Sequence, residues 1–204
     1  MGFYNRYILP RLTHLAMRQK QLKPYRDRVV STAEGRVLEV GIGPGLNLPL
    51  YSNRVERVIG IDPSPELLEI ARRAGRGAAP EVELVEGVAE AIPLEDDSVD
   101  CVIITWTLCS VSEAEQALGE IRRVLKPHGA ICFAEHGRAP EERIQRWQDR
   151  LTPLWKRCSG NCHLNRPIAS LVEANGFRME RLETGYAKGP KPMAFMYEGI
   201  GRPR

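Results

Sequence analysis

The chain has 204 residues, of which 43% are hydrophobic and 27% charged, values typical of a single soluble globular domain with a buried core. Every apolar run is far shorter than the ~20 residues that a membrane-spanning helix needs, and we expect no signal peptide because the opening residues lack an apolar centre. The chain has five cysteines, an odd number, and several of them fall in apolar runs. We therefore expect buried, reduced thiols and a cytoplasmic protein.

The net charge of +3 is distributed unevenly along the chain. Residues 1–36 carry eight Lys or Arg and two acidic residues, a local charge of +6, so the remainder carries −3. Apolar residues recur in this basic segment at helical spacing, at Ile8, Leu12, Leu15 and Leu22. We predict a helical cap that covers one end of the domain. A second interpretation is that it also covers the substrate and contacts an anionic membrane surface through residues 1–30.

A short apolar strand runs into a glycine-rich loop, and the segment reads Val37-Leu38-Glu39-Val40-Gly41-Ile42-Gly43-Pro44-Gly45. Glycine at alternate loop positions lets the backbone approach a ligand closely. The next apolar run, which starts at Val58, ends in the carboxylate of Asp62. In a β-loop-α-β unit that carboxylate lies beside the loop, where ribose hydroxyls can donate to it. The two runs together predict a nucleoside site.

The loop spacing and the acid before the loop decide which nucleoside fits. Dinucleotide sites use Gly-x-Gly-x-x-Gly so that a helix N-terminus meets a pyrophosphate, whereas here the glycines alternate and Glu39 precedes them. A carboxylate there repels a pyrophosphate and suits a cationic ligand. The pattern resembles the first motif of class I S-adenosylmethionine-dependent methyltransferases. The resemblance implies that Glu39 lies near the methionine end of the cofactor and that Asp62 holds the ribose.

A third predicted strand, Val82 to Val85, leads into residues 87–93, which resemble the adenine-binding motif of that family. In the family an acidic side chain and the next backbone N–H read the base edge, but here Val88 stands at the acidic position. Three modes of adenine binding stay open: the Ala89 backbone, apolar contacts around Val88, and the Glu90 carboxylate.

The run from Val99 to Trp106 is almost continuously apolar, as expected for a central strand covered on both faces. Ligands in open α/β sheets bind beyond the carboxyl ends of strands, so its end is expected to meet the cofactor and the substrate. Ser112 and Glu115 predict a capping box for the helix that follows. A fifth strand, residues 130–135, then brings Glu135 and His136 to the same edge.

The resemblance covers residues 35–135 most strongly, because four motifs occur there in the family's order. It implies an α/β fold: a Rossmann-like, seven-stranded, mostly parallel sheet with an antiparallel last strand, helices on both faces and a helical N-terminal cap. We expect one class I methyltransferase domain over residues 1–204. Its expected parts are a helical cap (1–34), a cofactor-binding core (35–135), a substrate-side insertion (136–166) and a C-terminal helix and strand pair (167–204).

Outside the core the chain resembles a narrower group, which includes membrane-associated alkyl-thiol S-methyltransferases. The resemblance rests on residues 108–111, Glu135-His136, the Trp147 to Trp155 insertion and residues 160–166. It favours methylation of a small, lipophilic thiol. Those enzymes have a longer hydrophobic N-terminus, and this chain has only the basic segment. The alternatives are N-methylation of phosphatidylethanolamine, C-methylation of a quinone precursor, and an S-adenosylmethionine-binding module without transfer activity.

These interpretations define a set of candidate site residues. The cofactor-binding candidates are Glu39, Gly41, Ile42, Gly43, Asn47, Asp62, Pro63, Gly87, Val88, Ala89, Glu90, Thr105 and Trp106. The candidate substrate contacts are Tyr4, His14, Cys109 and Glu135. His136 is the first candidate for removing a proton from the acceptor, ahead of His14 and His163.

Two other classes of site are not expected. Cys158, Cys162 and His163 lack the Cys-x-x-Cys spacing of zinc or haem sites, so we expect no metal. The sheet region is net acidic, so we expect a small-molecule acceptor and not nucleic acid.

Overall fold

The computed structural model of the protein describes residues 9–77 and 80–204. They form a seven-stranded sheet in the order β3-β2-β1-β4-β5-β7-β6. The strands are β1 (Gly35–Val40), β2 (Val55–Asp62), β3 (Glu81–Glu86), β4 (Val99–Thr105), β5 (Leu125–His136), β6 (Phe177–Tyr186) and β7 (Phe195–Pro203). Strand β7 pairs antiparallel with both β5 and β6, and the other pairings are parallel. The predicted fold class is confirmed.

Seven α-helices accompany the sheet within the described residues: α1 (Leu9–Met17), α2 (Lys23–Val30), α3 (Pro65–Ala74), α4 (Ala114–Val124), α5 (Glu142–Cys158), α6 (Ile168–Ala174) and α7 (Lys191–Ala194). Alternate residues of the central strands belong to two separate apolar cores. Leu38 packs in one core and its neighbour Val37 in the other. Helices α4 and α6 pack on the first face, and α2 and α3 on the second. Both faces of the central sheet are therefore covered, which explains the continuous apolar run of β4.

The order of the strands places the site. β1 lies between β2 and β4, and the connection after β1 crosses to β2 while the connection after β4 leads away towards β5. The sheet therefore opens at the carboxyl ends of β1 and β4, the position where ligands of doubly wound folds bind. Glu39, Asp62 and Thr105 lie at or next to the carboxyl ends of β1, β2 and β4, respectively.

Three local predictions are wrong in detail. Ser112 does not form a capping box: Glu113 is the N-cap of α4, with no side-chain cap hydrogen bond. The Glu90 carboxylate instead accepts from the backbone N–H groups of Ser112 and Glu113, so a distant acid satisfies these donors. Strand β5 begins five residues before the predicted position, at Leu125. The last strand, for which the sequence pattern predicts Met193 to Gly199, begins at Phe195.

The N-terminal segment is helical where the structure describes it, and Pro10 lies in the first turn of α1, a position that proline tolerates. Two of its apolar side chains are exposed: Leu12 is 49% exposed and Leu15 71%. Among the described helices, none has both the length and the apolar character needed to cross a membrane.

Candidate active site

A cavity of about 390 Å³ opens at the carboxyl ends of β1, β2 and β4, within the usual size range of small-molecule sites. Every cofactor-binding residue predicted from the sequence lines it. These are Glu39, Gly41, Ile42, Gly43, Asn47, Asp62, Pro63, Gly87, Val88, Ala89, Glu90, Thr105 and Trp106. Two carboxylates that lie far apart in the sequence, Glu39 and Asp62, therefore share one cavity.

Glu39 is an almost completely buried acid, 1% exposed. Its Oε1 accepts from Asn47 Nδ2 at 2.9 Å and its Oε2 accepts from the Tyr51 hydroxyl at 2.6 Å. Burial raises the pKa of Glu39 to about 7, although both hydrogen bonds lower it. A carboxyl group poised in this way gains most from a cationic ligand, because a nearby positive charge stabilises its ionised form.

Asp62 closes β2 and is held by the glycine loop. Its Oδ2 accepts from Gly43 N and its Oδ1 from Ser64 N, each at 2.9 Å. Burial raises its pKa, and these two backbone donors oppose the rise. Gly41 has φ +70°, and a Cβ there would lie 2.2 Å from Thr107 Oγ1. Only glycine satisfies both the left-handed conformation and this close approach.

Trp106 forms the wall at the end of β4 and has a strained backbone, with φ +52°. Its backbone N–H donates to the backbone oxygen of Ala134 at 2.9 Å. The Arg26 guanidinium lies 4.6 Å from the indole centroid, and Tyr25 packs against the same indole edge-to-face. Arg26 is buried, and burial lowers its pKa to about 10, while the Glu39 carboxylate opposes this shift. The cavity therefore contains a buried cation near Glu39.

The adenine-motif residues Val88 and Glu90 differ in their freedom to bind a ligand. Val88 is 44% exposed at the cavity. Glu90 Oε1 already accepts from the backbone of Ser112 and Glu113. This occupancy favours apolar contact with Val88 over a base-reading role for the Glu90 carboxylate.

Glu135 does not face the cavity, so its predicted substrate contact is wrong. It is fully buried, and its Oε1 accepts from Thr107 N and Leu108 N while its Oε2 accepts from Cys109 N. Burial raises the pKa of Glu135 to about 7, against the lowering effect of these donors. The side chain holds the loop after β4 in place from behind the wall.

His136 and Cys109 also lie behind the wall, outside the described lining of the cavity. His136 Nε2 lies 2.8 Å from Cys162 Sγ, and Cys162 Sγ lies 3.7 Å from Cys109 Sγ. The sequence placed His136 and Cys109 at the correct sheet edge. It could not show that their side chains turn towards the 136–166 insertion and not towards the ligand.

Of the remaining predicted residues, His14 and His163 lie outside the described lining of the cavity. Tyr4 lies outside the described residues. His14 is partly buried on α1, whereas Met17 of the same helix lines the cavity. The backbone N and the Nδ1 of His163 both contact Cys109 O. Three other parts of the lining were not among the predicted site residues: Arg26, Ser110 to Ser112, and Ser159-Gly160.

The fold and this cavity define a nucleoside-dependent transferase, and a family model described as a methyltransferase domain matches residues 38–133. Thiol S-methyltransferase TMT1B of Rattus norvegicus is 30% identical over 190 residues, which cover 88% of this chain and 78% of that protein. The chain therefore belongs to the class I S-adenosylmethionine-dependent methyltransferases. The predicted enzyme class and the predicted cofactor, S-adenosylmethionine, are confirmed.

Two further proteins are similar to the chain. A phosphatidylethanolamine N-methyltransferase of Cereibacter sphaeroides is 39% identical over 109 residues, which cover 52% of this chain and 53% of that protein. A solved S-adenosylmethionine-dependent methyltransferase of Thermotoga maritima has a TM-score of 0.70 at 24% identity, and the match covers 97% of this chain and 99% of that one. The structural match supports the fold.

Glu135→Gln tests the role of the buried carboxylate. The substitution places an amide NH₂ where one carboxylate oxygen now accepts backbone N–H groups, so at least one buried donor loses its acceptor. We expect a loss of about 2–4 kcal/mol in the free energy of unfolding, measured by urea denaturation. Glu183→Gln, on the exposed part of β6, is the matched control and is expected to change stability by less than about 0.5 kcal/mol. Equal stabilities for the two variants would contradict the assigned role.

Proposed function

We propose that the protein transfers the methyl group of S-adenosylmethionine to the thiol of a small, lipophilic acceptor. The observation that carries the choice of a thiol is the set of ionisable side chains in the described lining. These are Arg26, Glu39, Asp62 and Glu90. Glu39, Asp62 and Glu90 already accept hydrogen bonds from the protein. The described lining also contains no histidine, cysteine, lysine or tyrosine that could act as a general base.

A thiol is the acceptor that least needs a general base. Its unperturbed pKa of ~8.5 leaves a few per cent ionised at neutral pH, whereas an alkyl amine with a pKa of ~10.4 is almost entirely protonated and cannot attack. In the transfer the thiolate sulfur bonds to the methyl carbon as the carbon–sulfonium bond breaks. The products are a thioether and S-adenosylhomocysteine, and the thiol proton goes to solvent.

Positioning and exclusion of water then carry most of the acceleration, because the sulfur must attack in line with the breaking bond. Trp106, Met17 and Val111 provide apolar surface in the same cavity as the acids. This surface suits a lipophilic acceptor. The similarity to a thiol S-methyltransferase extends over 88% of the chain, so it includes segments outside the core.

We assign the cofactor's parts to the cavity by charge. Asp62 receives the ribose hydroxyls, Glu39 faces the ammonium group of the methionine part, and Arg26 pairs with its carboxylate. Residues 87–90, with Val88 foremost, contact the adenine. The assignment rests on the buried acid and the buried cation that face one cavity, since an amino-acid zwitterion needs one partner of each sign.

A second candidate is N-methylation of phosphatidylethanolamine, favoured by the 39% identity to an enzyme with that activity. That similarity covers about half of each chain. The exposed Leu12 and Leu15 on the basic helix α1 are compatible with a lipid surface. The nature of the acceptor separates the two candidates.

Incubation with labelled S-adenosylmethionine and a panel of acceptors tests the proposal. The panel holds alkyl thiols of increasing chain length, phosphatidylethanolamine vesicles and a quinone precursor. We expect label in the thiols, with a rate that rises with pH towards the thiol pKa of ~8.5 and improves with chain length. Added S-adenosylhomocysteine is the control and should suppress the labelling. Labelling of lipid in the absence of any thiol would overturn the choice.

The zwitterion assignment predicts a ligand-selective effect of Glu39→Gln. S-adenosylhomocysteine carries the amino-acid end, whereas 5′-methylthioadenosine keeps the nucleoside and lacks that end. We expect Glu39→Gln to weaken S-adenosylhomocysteine binding about 10- to 100-fold, since a charge-assisted hydrogen bond contributes ~1.5–3 kcal/mol. Methylthioadenosine binding should change by less than about threefold. Arg26→Gln should show the same selectivity.

The same titrations carry a pH test. Because burial raises the pKa of Glu39 to about 7, the free protein holds a neutral carboxyl group below that pH and must release a proton to bind the ammonium group. Affinity for S-adenosylhomocysteine should therefore fall as the pH drops from 7 to 5.5, and Glu39→Gln should remove this dependence. The assignment would be contradicted if Glu39→Gln weakened the binding of both ligands equally, or if it left the pH dependence of S-adenosylhomocysteine affinity unchanged.

A further inference from the structure

Two segments form the wall of the cavity on the insertion side: residues 106–112, after β4, and residues 159–163, after α5. Ser110 and Gly160, one from each segment, line the cavity. The segments are joined by hydrogen bonds, from His163 N to Cys109 O at 2.7 Å and from Asn161 Nδ2 to Ser110 O at 2.9 Å. Directly behind this wall lie two thiols that the methyl-transfer proposal does not use.

The thiols are Cys109 and Cys162, with their sulfur atoms 3.7 Å apart. Cys109 is 1% exposed and Cys162 7%. His136 Nε2 lies 2.8 Å from Cys162 Sγ. The Trp155 indole Nε1–H is buried without a hydrogen-bond partner, and its proximity lowers the pKa of Cys162. A His136 ring nitrogen at hydrogen-bond distance and a nearby indole N–H suit a thiolate at Cys162 more than a neutral thiol.

The surroundings shift the pKa values of the two thiols in opposite directions. The hydrogen bond with Cys109 and the contact with His136 place the pKa of Cys162 well below the ordinary thiol value, against the effect of burial. The same contact with Cys162, together with burial, raises the pKa of Cys109. The pKa of His136 is raised by Cys162, although burial opposes the rise. Glu135 and Arg166 are the other charged groups that act on this cluster.

We propose that Cys162 and Cys109 form a redox pair that a small hydroperoxide converts reversibly into an intramolecular disulfide. The Cys162 thiolate attacks one peroxide oxygen, the O–O bond breaks, and the leaving oxygen takes the proton of the His136 imidazolium. The products are a sulfenic acid at Cys162 and, from hydrogen peroxide, one water. The Cys109 sulfur then bonds to Cys162 and a second water leaves. Two thiols are oxidised and one peroxide is reduced.

The geometry fits this sequence of steps. A disulfide requires the sulfur atoms to close to about 2.05 Å, an approach of roughly 1.7 Å from their present separation. Cys162 is the attacking residue because its sulfur lies at hydrogen-bond distance from His136 Nε2, and Cys109 is the resolving residue because it is the adjacent thiol. The bond would join the two segments of the cavity wall covalently. His136 contacts the attacking sulfur and is the proton donor to the leaving oxygen.

A metal site is the competing interpretation of the same cluster, since one ligand atom each from Cys109, His136 and Cys162 lie within 4.8 Å of one another. Ligands around zinc at 2.0–2.3 Å are roughly 3.5 Å apart, and the 2.8 Å between His136 Nε2 and Cys162 Sγ is shorter than that. Within the described residues the group also contains three ligands, one fewer than a structural zinc site needs. A hydrogen-bonded thiolate fits better.

The chain contains an internal comparison for the proposal. Cys101 and Cys132 are also buried, on the neighbouring strands β4 and β5, with their sulfur atoms 4.0 Å apart. The hydrogen bonds described for this second pair involve no histidine, and neither cysteine adjoins the cavity lining. The pKa of Cys132 is also lowered, chiefly by its hydrogen bond with Cys101. Proximity and a lowered thiol pKa alone would therefore make both pairs react, whereas a requirement for the histidine contact makes only the first pair react.

The test treats the reduced full-length protein with hydrogen peroxide and maps the cysteines by mass spectrometry without reductant. We expect a peptide pair linked through Cys109 and Cys162, lost again on addition of dithiothreitol, and no link between Cys101 and Cys132. In Cys109→Ala the resolving thiol is absent, so a dimedone-trapped sulfenic acid should accumulate at Cys162. Cys158→Ala removes an exposed cysteine on the same side of the fold and should behave like the wild type.

His136→Asn provides a readout that a purely structural role would not give. It should slow alkylation of Cys162 by iodoacetamide at least tenfold at pH 6 and much less at pH 9, where a free thiol ionises unaided. The proposal is overturned by a peroxide-treated wild type without the Cys109–Cys162 link, by equal linkage of Cys101 and Cys132, or by one tightly bound zinc per chain that the Cys109→Ala variant lacks. These results do not depend on methyl transfer, so they stand apart from the acceptor assays.

Discussion

Two buried carboxylates facing one cavity, Glu39 and Asp62, are the constraint on which the rest of the site depends. Burying such groups is costly unless hydrogen bonds compensate, and the fold supplies them: Asn47 and Tyr51 for Glu39, and the backbone of Gly43 and Ser64 for Asp62. The order β2-β1-β4 brings both acids to one sheet edge. Because burial raises the pKa of each, a cationic ligand with donor hydroxyls stabilises the ionised form of both carboxylates.

The seven-stranded sheet was predicted from the family resemblance, and much of the cavity lining could be predicted because it depends on local signals in the sequence. Glycines at alternate positions after an apolar strand indicate a tight loop, and Asp62 lies at the end of the next strand. These signals specify the backbone path, and the side chains at strand ends follow from it. The antiparallel β7 was predictable from its position after the last helix, but its start was not, because Pro190 to Ala194 form a turn and a short helix, α7, before it.

Side-chain direction beyond the strand ends was not predictable. Glu135 and His136 leave β5 at the expected edge, yet Glu135 turns under the loop after β4 and His136 turns towards Cys162. Both choices depend on tertiary partners, which include backbone donors 26 to 28 residues away. The predicted capping box at Ser112 is absent for the same reason, because the backbone N–H of Ser112 donates to the distant Glu90 carboxylate. Arg26 was hidden because a basic helix gives no sign of which cation is buried.

Binding of S-adenosylhomocysteine measured by calorimetry tests the central claim most directly. We predict one site per chain in the wild type. In Asp62→Asn, which loses the charge assigned to the ribose hydroxyls, the affinity should fall at least tenfold. In Asp97→Asn, a change at an exposed acid, the affinity should stay the same. Thermal unfolding of each variant would establish that it is folded. Absence of binding to the intact protein, or equal affinity for wild type and Asp62→Asn, would contradict the claim that these two acids hold the cofactor.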